Sequence, residues 1–170
     1  PRFPGAASRR SATTTPASPA RRISSPSRSS VGDGAVLIGL GCRDRGDDAL
    51  GLIVAERLRP RLAGRARVVV GCADPLALVA RLEGAGTVVV VDALRSDDPP
   101  GSLRRLDLAA ADAPPPTARV SGHGDALGAG WRLARSLRLA PRRWWLVGVV
   151  GADFTLGAPL SAPVRAALAP

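Results

Sequence analysis

Ala35-Val-Leu-Ile-Gly-Leu40, followed by Gly46-Asp47-Asp48, is the stretch whose reading decides the fold. A nearly continuous apolar run of this length is expected of a strand covered on both faces. The acids that follow can cap a helix reaching about Leu58, with Leu50, Ile53, Val54 and Leu58 on one face and Pro60 as its stop. A buried strand leading into an amphipathic helix is the opening unit of an α/β domain.

The same alternation continues outward. Arg67–Gly71 reads as a second strand. Asp74-Pro75 is an N-cap with proline at the first helical position, opening a helix to about Leu82. Thr87-Val-Val-Val-Val91 is a third strand, closed by Asp92. Asp97-Asp98-Pro99-Pro100-Gly101 is a turn signal, and Ser102–Leu106 suits a short edge strand. A helix is predicted from near Asp125, with Leu127, Trp131, Ala134 and Leu137 on one face. Trp144–Val149 is the last strong strand, and Ser161 is placed to cap a terminal helix, Ala162–Ala169. The expected architecture is a three-layer α/β/α sandwich with a mostly parallel sheet. Ligands of such sheets bind outside the carboxyl ends of the strands, where Asp48 and Asp92 both fall.

Composition narrows the function classes. The chain of 170 residues suits one domain with a real core. No apolar run approaches the ~18 residues of a membrane span. The net charge of +10 is uneven: residues 1–32 hold six arginines and no acid, which leaves 18 Arg against 14 acids in the remainder. With five aromatic residues in all and scattered arginines, the body lacks the basic stripe and stacking platform of a nucleic-acid binder. Two cysteines, Cys42 and Cys72, make no secreted disulfide framework, so a reduced, cytoplasmic protein is expected. Residues 1–32, rich in Ser, Pro, Thr and Arg, are expected to be a disordered tail, with residues 33–170 as the folded domain. The tail has the Arg/Ser bias of an organelle transit peptide but no amphipathic apolar face, and no apolar region of a secretory signal follows its first arginines.

Several motif readings fail on specifics. Gly39-Leu40-Gly41 would open a dinucleotide fingerprint, but Asp44 holds its third glycine position. Acids at the following helix start would repel a phosphate. There is no G-x-S-x-G elbow and no H-E-x-x-H zinc pair. Three residues remain. An acid after four valines, Asp92, is costly to bury unless it has partners or faces a cleft. Of Asp47 and Asp48, one suffices as helix cap, assigned here to Asp47, which releases Asp48 for chemistry. His123 is the only histidine, in the turn Ser121-Gly-His-Gly-Asp125. Read singly, each has a bland alternative: a cap, a satisfied strand-end acid, a bystander loop histidine.

Taken in order, the segments carry more. Val36-Leu-Ile-Gly-Leu-Gly-Cys-Arg-Asp-Arg-Gly-Asp-Asp-Ala-Leu-Gly51, Val88-Val-Val-Val-Asp-Ala93 with Pro100-Gly101 after it, Ser121-Gly-His-Gly124, Leu146-Val-Gly-Val149 and Leu160-Ser-Ala-Pro163 follow one another as in the nickel–iron hydrogenase maturation endopeptidases. Residues 36–163 resemble that family, whose members trim the carboxyl-terminal extension of the hydrogenase large subunit. The resemblance puts Asp48 and Asp92 at the family's acidic metal-contacting positions and His123 at its histidine position. It implies a metal-dependent endopeptidase acting on a large-subunit precursor. The nickel would be carried by the substrate, with no permanently bound cofactor. Imidazole nitrogen and carboxylate oxygen suit such a borderline divalent ion, which can polarise a carbonyl or activate water.

The chain also departs from the family's pattern. Cys42 stands where asparagine is usual, Gly71-Cys72-Ala73 replaces a Gly-Gly-Thr-type turn, and Val150-Gly151 replaces an acid or amide followed by proline. Cys42 and Cys72 follow strands expected to be neighbours, and read as two free thiols or as an added soft ligand or redox pair. The alternatives to an endopeptidase are a non-catalytic, chaperone-like binder of the metallated precursor and an unrelated α/β enzyme of small molecules.

Overall fold

The computed structural model describes residues 34–71, 74–112 and 124–169. Five strands form one sheet: β1 (Gly34–Gly39), β2 (Ala66–Val70), β3 (Ala85–Leu94), β4 (Leu103–Asp107) and β5 (Arg143–Val150). Their order is β2-β1-β3-β5-β4. The β1–β2, β1–β3 and β3–β5 pairs are parallel; β4 alone is antiparallel, on the edge beside β5. Four α-helices, α1 (Leu50–Leu58), α2 (Pro75–Leu82), α3 (Gly124–Ser136) and α4 (Ala162–Ala167), and two short 3₁₀ turns, Gly46–Ala49 and Pro60–Leu62, complete the described chain.

Alternation along the strands separates two cores. Val36, Ile38, Val88, Val90, Trp144 and Leu146 pack with Leu78 and Leu82 of α2 and Leu127, Trp131 and Ala134 of α3. Leu37, Val91 and Val149 pack on the other face with Leu50 and Ala55 of α1 and Val164 of α4. The sandwich expected from sequence is therefore present: two helices, a mostly parallel sheet, two helices. Among the described residues no helix is long and apolar enough to cross a membrane.

One helix lies very close to the sheet. A Cβ on Gly51 of α1 would stand 2.3 Å from both Leu40 O and Val91 O, and one on Gly39 of β1 would stand 2.1 Å from Gly51 O. Two facing glycines thus let α1 touch the β1 and β3 backbones at their carboxyl ends.

The order of strands matters for function. After β1, the chain moves to one side for β2 and to the other for β3. The gap outside the carboxyl ends of β1 and β3 is a topological switch point, the usual ligand crevice of open α/β sheets.

Several expected boundaries shift. Asp92 does not close β3 but lies inside it, because the ladder to β5 runs on through Asp92↔Gly148 to Leu94↔Val150. The first helix begins at Leu50, after a 3₁₀ turn over Gly46–Ala49, and neither element is capped by an acidic side chain. Leu137 lies past the end of α3 and is 54% exposed, since Arg138 takes a left-handed turn (φ 56°) there. Ser161 occupies the N-cap position of α4 without a side-chain cap bond, and the helix ends at Ala167. Asp74 does cap α2, its Oδ2 accepting from the Ala77 N–H at 2.7 Å. The expected tail, residues 1–32, lies outside the described residues.

Candidate functional site

The switch point is built by three pieces of backbone. Leu40, just past β1, donates its N–H to Val91 O of β3 at 2.9 Å. The chain then turns at Gly41, where φ is +130° and a Cβ would stand 1.8 Å from Asp48 O. That contact lays the 3₁₀ turn Gly46–Ala49 against the end of β1. Asp92 follows Val91 directly, so the two candidate carboxylates are carried to the same edge by adjacent strands. Asp48 arrives from the turn that leads into α1. Asp92 shares its strand parity with Val88 and Val90, which face the α2 and α3 layer.

Both carboxylates are buried, Asp48 at 2% exposure and Asp92 at 0%. Asp92 Oδ1 accepts from the Ala93 N–H at 2.8 Å. Burying ionisable acids is costly in an apolar core, and here both stand by the carboxyl ends of β1 and β3, where the strand order reverses.

His123 lies outside the described residues, and so does Cys72. The residue after His123, Gly124, opens α3, which packs on the sheet face whose parity Asp92 shares. Cys42 is partly buried. Its strand and the one preceding Cys72 are neighbours, as expected, with Gly71 N–H bound to Gly39 O at 2.9 Å. Among the described residues, no three His, Cys, Asp or Glu side chains cluster as a metal site.

Asp47 departs from its expected role. It is fully buried and caps no helix. Its Oδ2 accepts from the N–H groups of Ala152 at 2.7 Å and Asp153 at 2.9 Å, and its Oδ1 from that of Ser161 at 2.7 Å. All three donors belong to the segment after β5. Burial works against its charged form, but the backbone donors of Asp153, Ser161 and Ala152 outweigh it and hold the carboxyl below the usual aspartate range. Gly46 completes the junction: its φ is +56°, and a Cβ there would stand 2.5 Å from Asp153 O. Sequence reasoning missed this role. A Gly-Asp pair marks a tight turn, but nothing local indicates donors more than a hundred residues away.

The opposite edge of the sheet carries a different surface. A concavity of about 360 Å³ there is lined by Gly34, Arg65, Arg67, Glu83 and Gly84 among others. It lies at the amino ends of β1–β3, away from both buried aspartates.

No family model matches the sequence, and no curated protein matches it. Solved structures do. The [NiFe] hydrogenase maturation protease HybD from Thermococcus kodakarensis is 26% identical over 79% of this chain and 91% of its own, with a TM-score of 0.60. The hydrogenase maturating endopeptidase HybD from E. coli is 19% identical over 78% of this chain and 83% of its own, at a TM-score of 0.61. A hydrogenase 2 maturation peptidase from a Thaumarchaeota archaeon is 23% identical over 79% and 89%, at 0.56. The resemblance read from the ordered sequence segments is borne out by these structures, and the low identities mark this chain as a divergent relative.

Proposed function

We propose that this chain, which has the fold of the hydrogenase maturation proteases, is an endopeptidase. Its substrate is a nickel–iron hydrogenase large-subunit precursor, from which it removes the carboxyl-terminal extension after nickel insertion. The single observation that carries the reading is the placement of Asp48 and Asp92. Two buried aspartates, 44 positions apart in sequence, reach one switch-point edge in a chain that shares this fold.

In this reading Asp48, Asp92 and His123 contact the nickel that the precursor brings. Carboxylate and imidazole are suitable donors for it. Three protein contacts leave coordination positions for substrate groups or water, and a metal so held polarises a carbonyl or activates water. The protein's own part includes presenting Asp48 and Asp92 beside the carboxyl ends of β1 and β3. Nickel belongs to the substrate, so cleavage follows metal insertion. The proposed setting is the cytoplasm, with the precursor as partner and neither nucleic acid nor membrane.

The test is a cleavage assay on nickel-loaded and nickel-free precursor. The wild-type chain is expected to cut only the loaded form, and Asp48→Asn, Asp92→Asn and His123→Ala are each expected to lower the rate at least ~100-fold. If His123→Ala cuts as fast as wild type, the histidine assignment is wrong. If wild type binds the loaded precursor without cutting it, the chain is a binder and not an enzyme.

A further inference from the structure

We propose that Asp47 is a positioning residue: its buried carboxylate locks the turn that carries Asp48 to the segment after β5. The inference rests on the proposed function for its catalytic consequence, though not for its geometry.

The turn Gly46–Ala49 is four residues long, and its preceding residue, Arg45, makes no side-chain cap bond. Locally it is held by two backbone bonds, Asp48 N–H to Arg45 O at 3.1 Å and Leu50 N–H to Asp47 O. Further bonds come from far along the chain. Gly46 donates its N–H to Ala158 O at 3.1 Å, and Asp47 donates its own to Asp153 O at 2.8 Å. Gly157 donates to Asp44 O at 2.6 Å. Through the Asp47 carboxylate, Ala152, Asp153 and Ser161 add three charge-assisted bonds. Two of these donors are consecutive backbone N–H groups, an arrangement that forms an anion-binding concavity. Here a side chain of the same protein fills it.

The far segment is itself anchored to the sheet and core. Gly151 N–H binds Leu94 O at 2.9 Å, two residues after Asp92. Phe154 is buried in the core layer that holds α1 and α4, and the Arg95 guanidinium lies over its ring at 3.9 Å. Asp47 therefore joins the turn that bears Asp48 to the strand end that bears Asp92. Loss of the carboxylate removes three bonds and leaves only the backbone ones, which loosens the turn that must hold Asp48 in position. Misplacement of Asp48 is costly to a reaction that depends on orientation.

Asp47→Asn is the primary variant, since it keeps the shape and removes the charge. Ser161→Pro is the milder one. It deletes only the contacts from Ser161, at a residue whose φ of −63° already suits the proline ring. Val164→Ala, a buried change in α4 outside the hydrogen-bonded junction, serves as the stability control. The first readout needs no substrate. Amide hydrogen exchange in residues 45–49 and 151–161 is expected to speed at least tenfold in Asp47→Asn and less in Ser161→Pro. Amides of β1 and β3 should keep their protection, and Val164→Ala should not reproduce this local pattern. Unchanged exchange, or uniform acceleration over the chain, overturns the proposal. The second readout is cleavage of nickel-loaded precursor at a temperature where all variants are folded. Asp47→Asn is expected to lose at least tenfold in kcat while Val164→Ala stays within twofold. Equal losses would make Asp47 merely structural. If wild type itself does not cut, the functional reading falls, while the exchange pattern still decides whether Asp47 holds the turn.

Discussion

Asp47 and Asp48 are neighbours in sequence with different surroundings. One binds backbone N–H groups of a distant segment; the other is buried beside the carboxyl end of β1. The difference has a consequence in acid. The carboxyl of Asp47 is held below its ordinary value by the donors of Asp153, Ser161 and Ala152 acting against burial. As pH falls through the ordinary aspartate range, the unfolded chain takes up its proton first, so stability drops until the folded-state value is passed. Asp98 and Asp153 are also depressed and contribute to the same descent. Asp47→Asn is expected to cost about 2 kcal/mol at pH 7, since it breaks charged hydrogen bonds from the part-buried N–H groups of the junction. The deficit should shrink as pH falls below the ordinary aspartate range, because proton uptake by the unfolded chain erodes the wild type's advantage; urea titrations at several pH values measure it. A deficit independent of pH would show that the carboxylate charge is not what matters. At this scale the sequence marked Asp48, Asp92 and His123 as candidates. It misassigned Asp47, because a cap is a local arrangement and the actual partners lie 105 to 114 positions away.

The elements were legible in proportion to how local their determinants are. The cap of α2 is an instance: Asp74-Pro75 signalled a helix start, and the cap bond to Ala77 is made. Asp74→Ala should lower stability by about 1 kcal/mol without disturbing the sheet, as denaturant titration will show. The ends of β3 and α1 were less legible. How far β3 runs past Val91 is set by its partner, since β5 continues the ladder to Val150. Where α1 starts is set by the turn tied down through Asp47. Close packing adds a further constraint that no periodicity reveals. Gly51 reads as an ordinary helix glycine, yet its Cβ position is filled by the carbonyl oxygens of Leu40 and Val91. Backbone oxygens in paired strands yield little. Gly51→Ala is therefore expected to destabilise by about 2–3 kcal/mol, where the same change in an exposed helix would stabilise. A neutral or stabilising result in thermal unfolding would mean that α1 is free to lift from the sheet.

Across the whole molecule, the sheet separates two cores that share strands but not side chains. Val79 of α2 belongs to one and Val164 of α4 to the other. Each valine-to-alanine change should cost about 2 kcal/mol from two lost methyl groups and the space they leave. The double variant should be additive within about 0.5 kcal/mol, because the sites share no partner. Strong coupling would show that the sheet transmits strain between its faces. The sequence by itself determined the alternation of strand and helix, the parallel sheet, and the three residues put forward for the site. The alternation and the sheet follow from apolar runs, breakers and caps, which act over a few residues; the three site residues follow from the resemblance carried by the ordered segments of residues 36–163. Only the tertiary structure decided that β1 and β3 are neighbours flanking the switch point, so that Asp48 and Asp92, expected at one edge, stand beside adjacent strands. It alone decided that Asp47 clamps the turn beside them. Strand order and long-range hydrogen bonds depend on which surfaces meet when the chain closes, and no local pattern encodes that meeting.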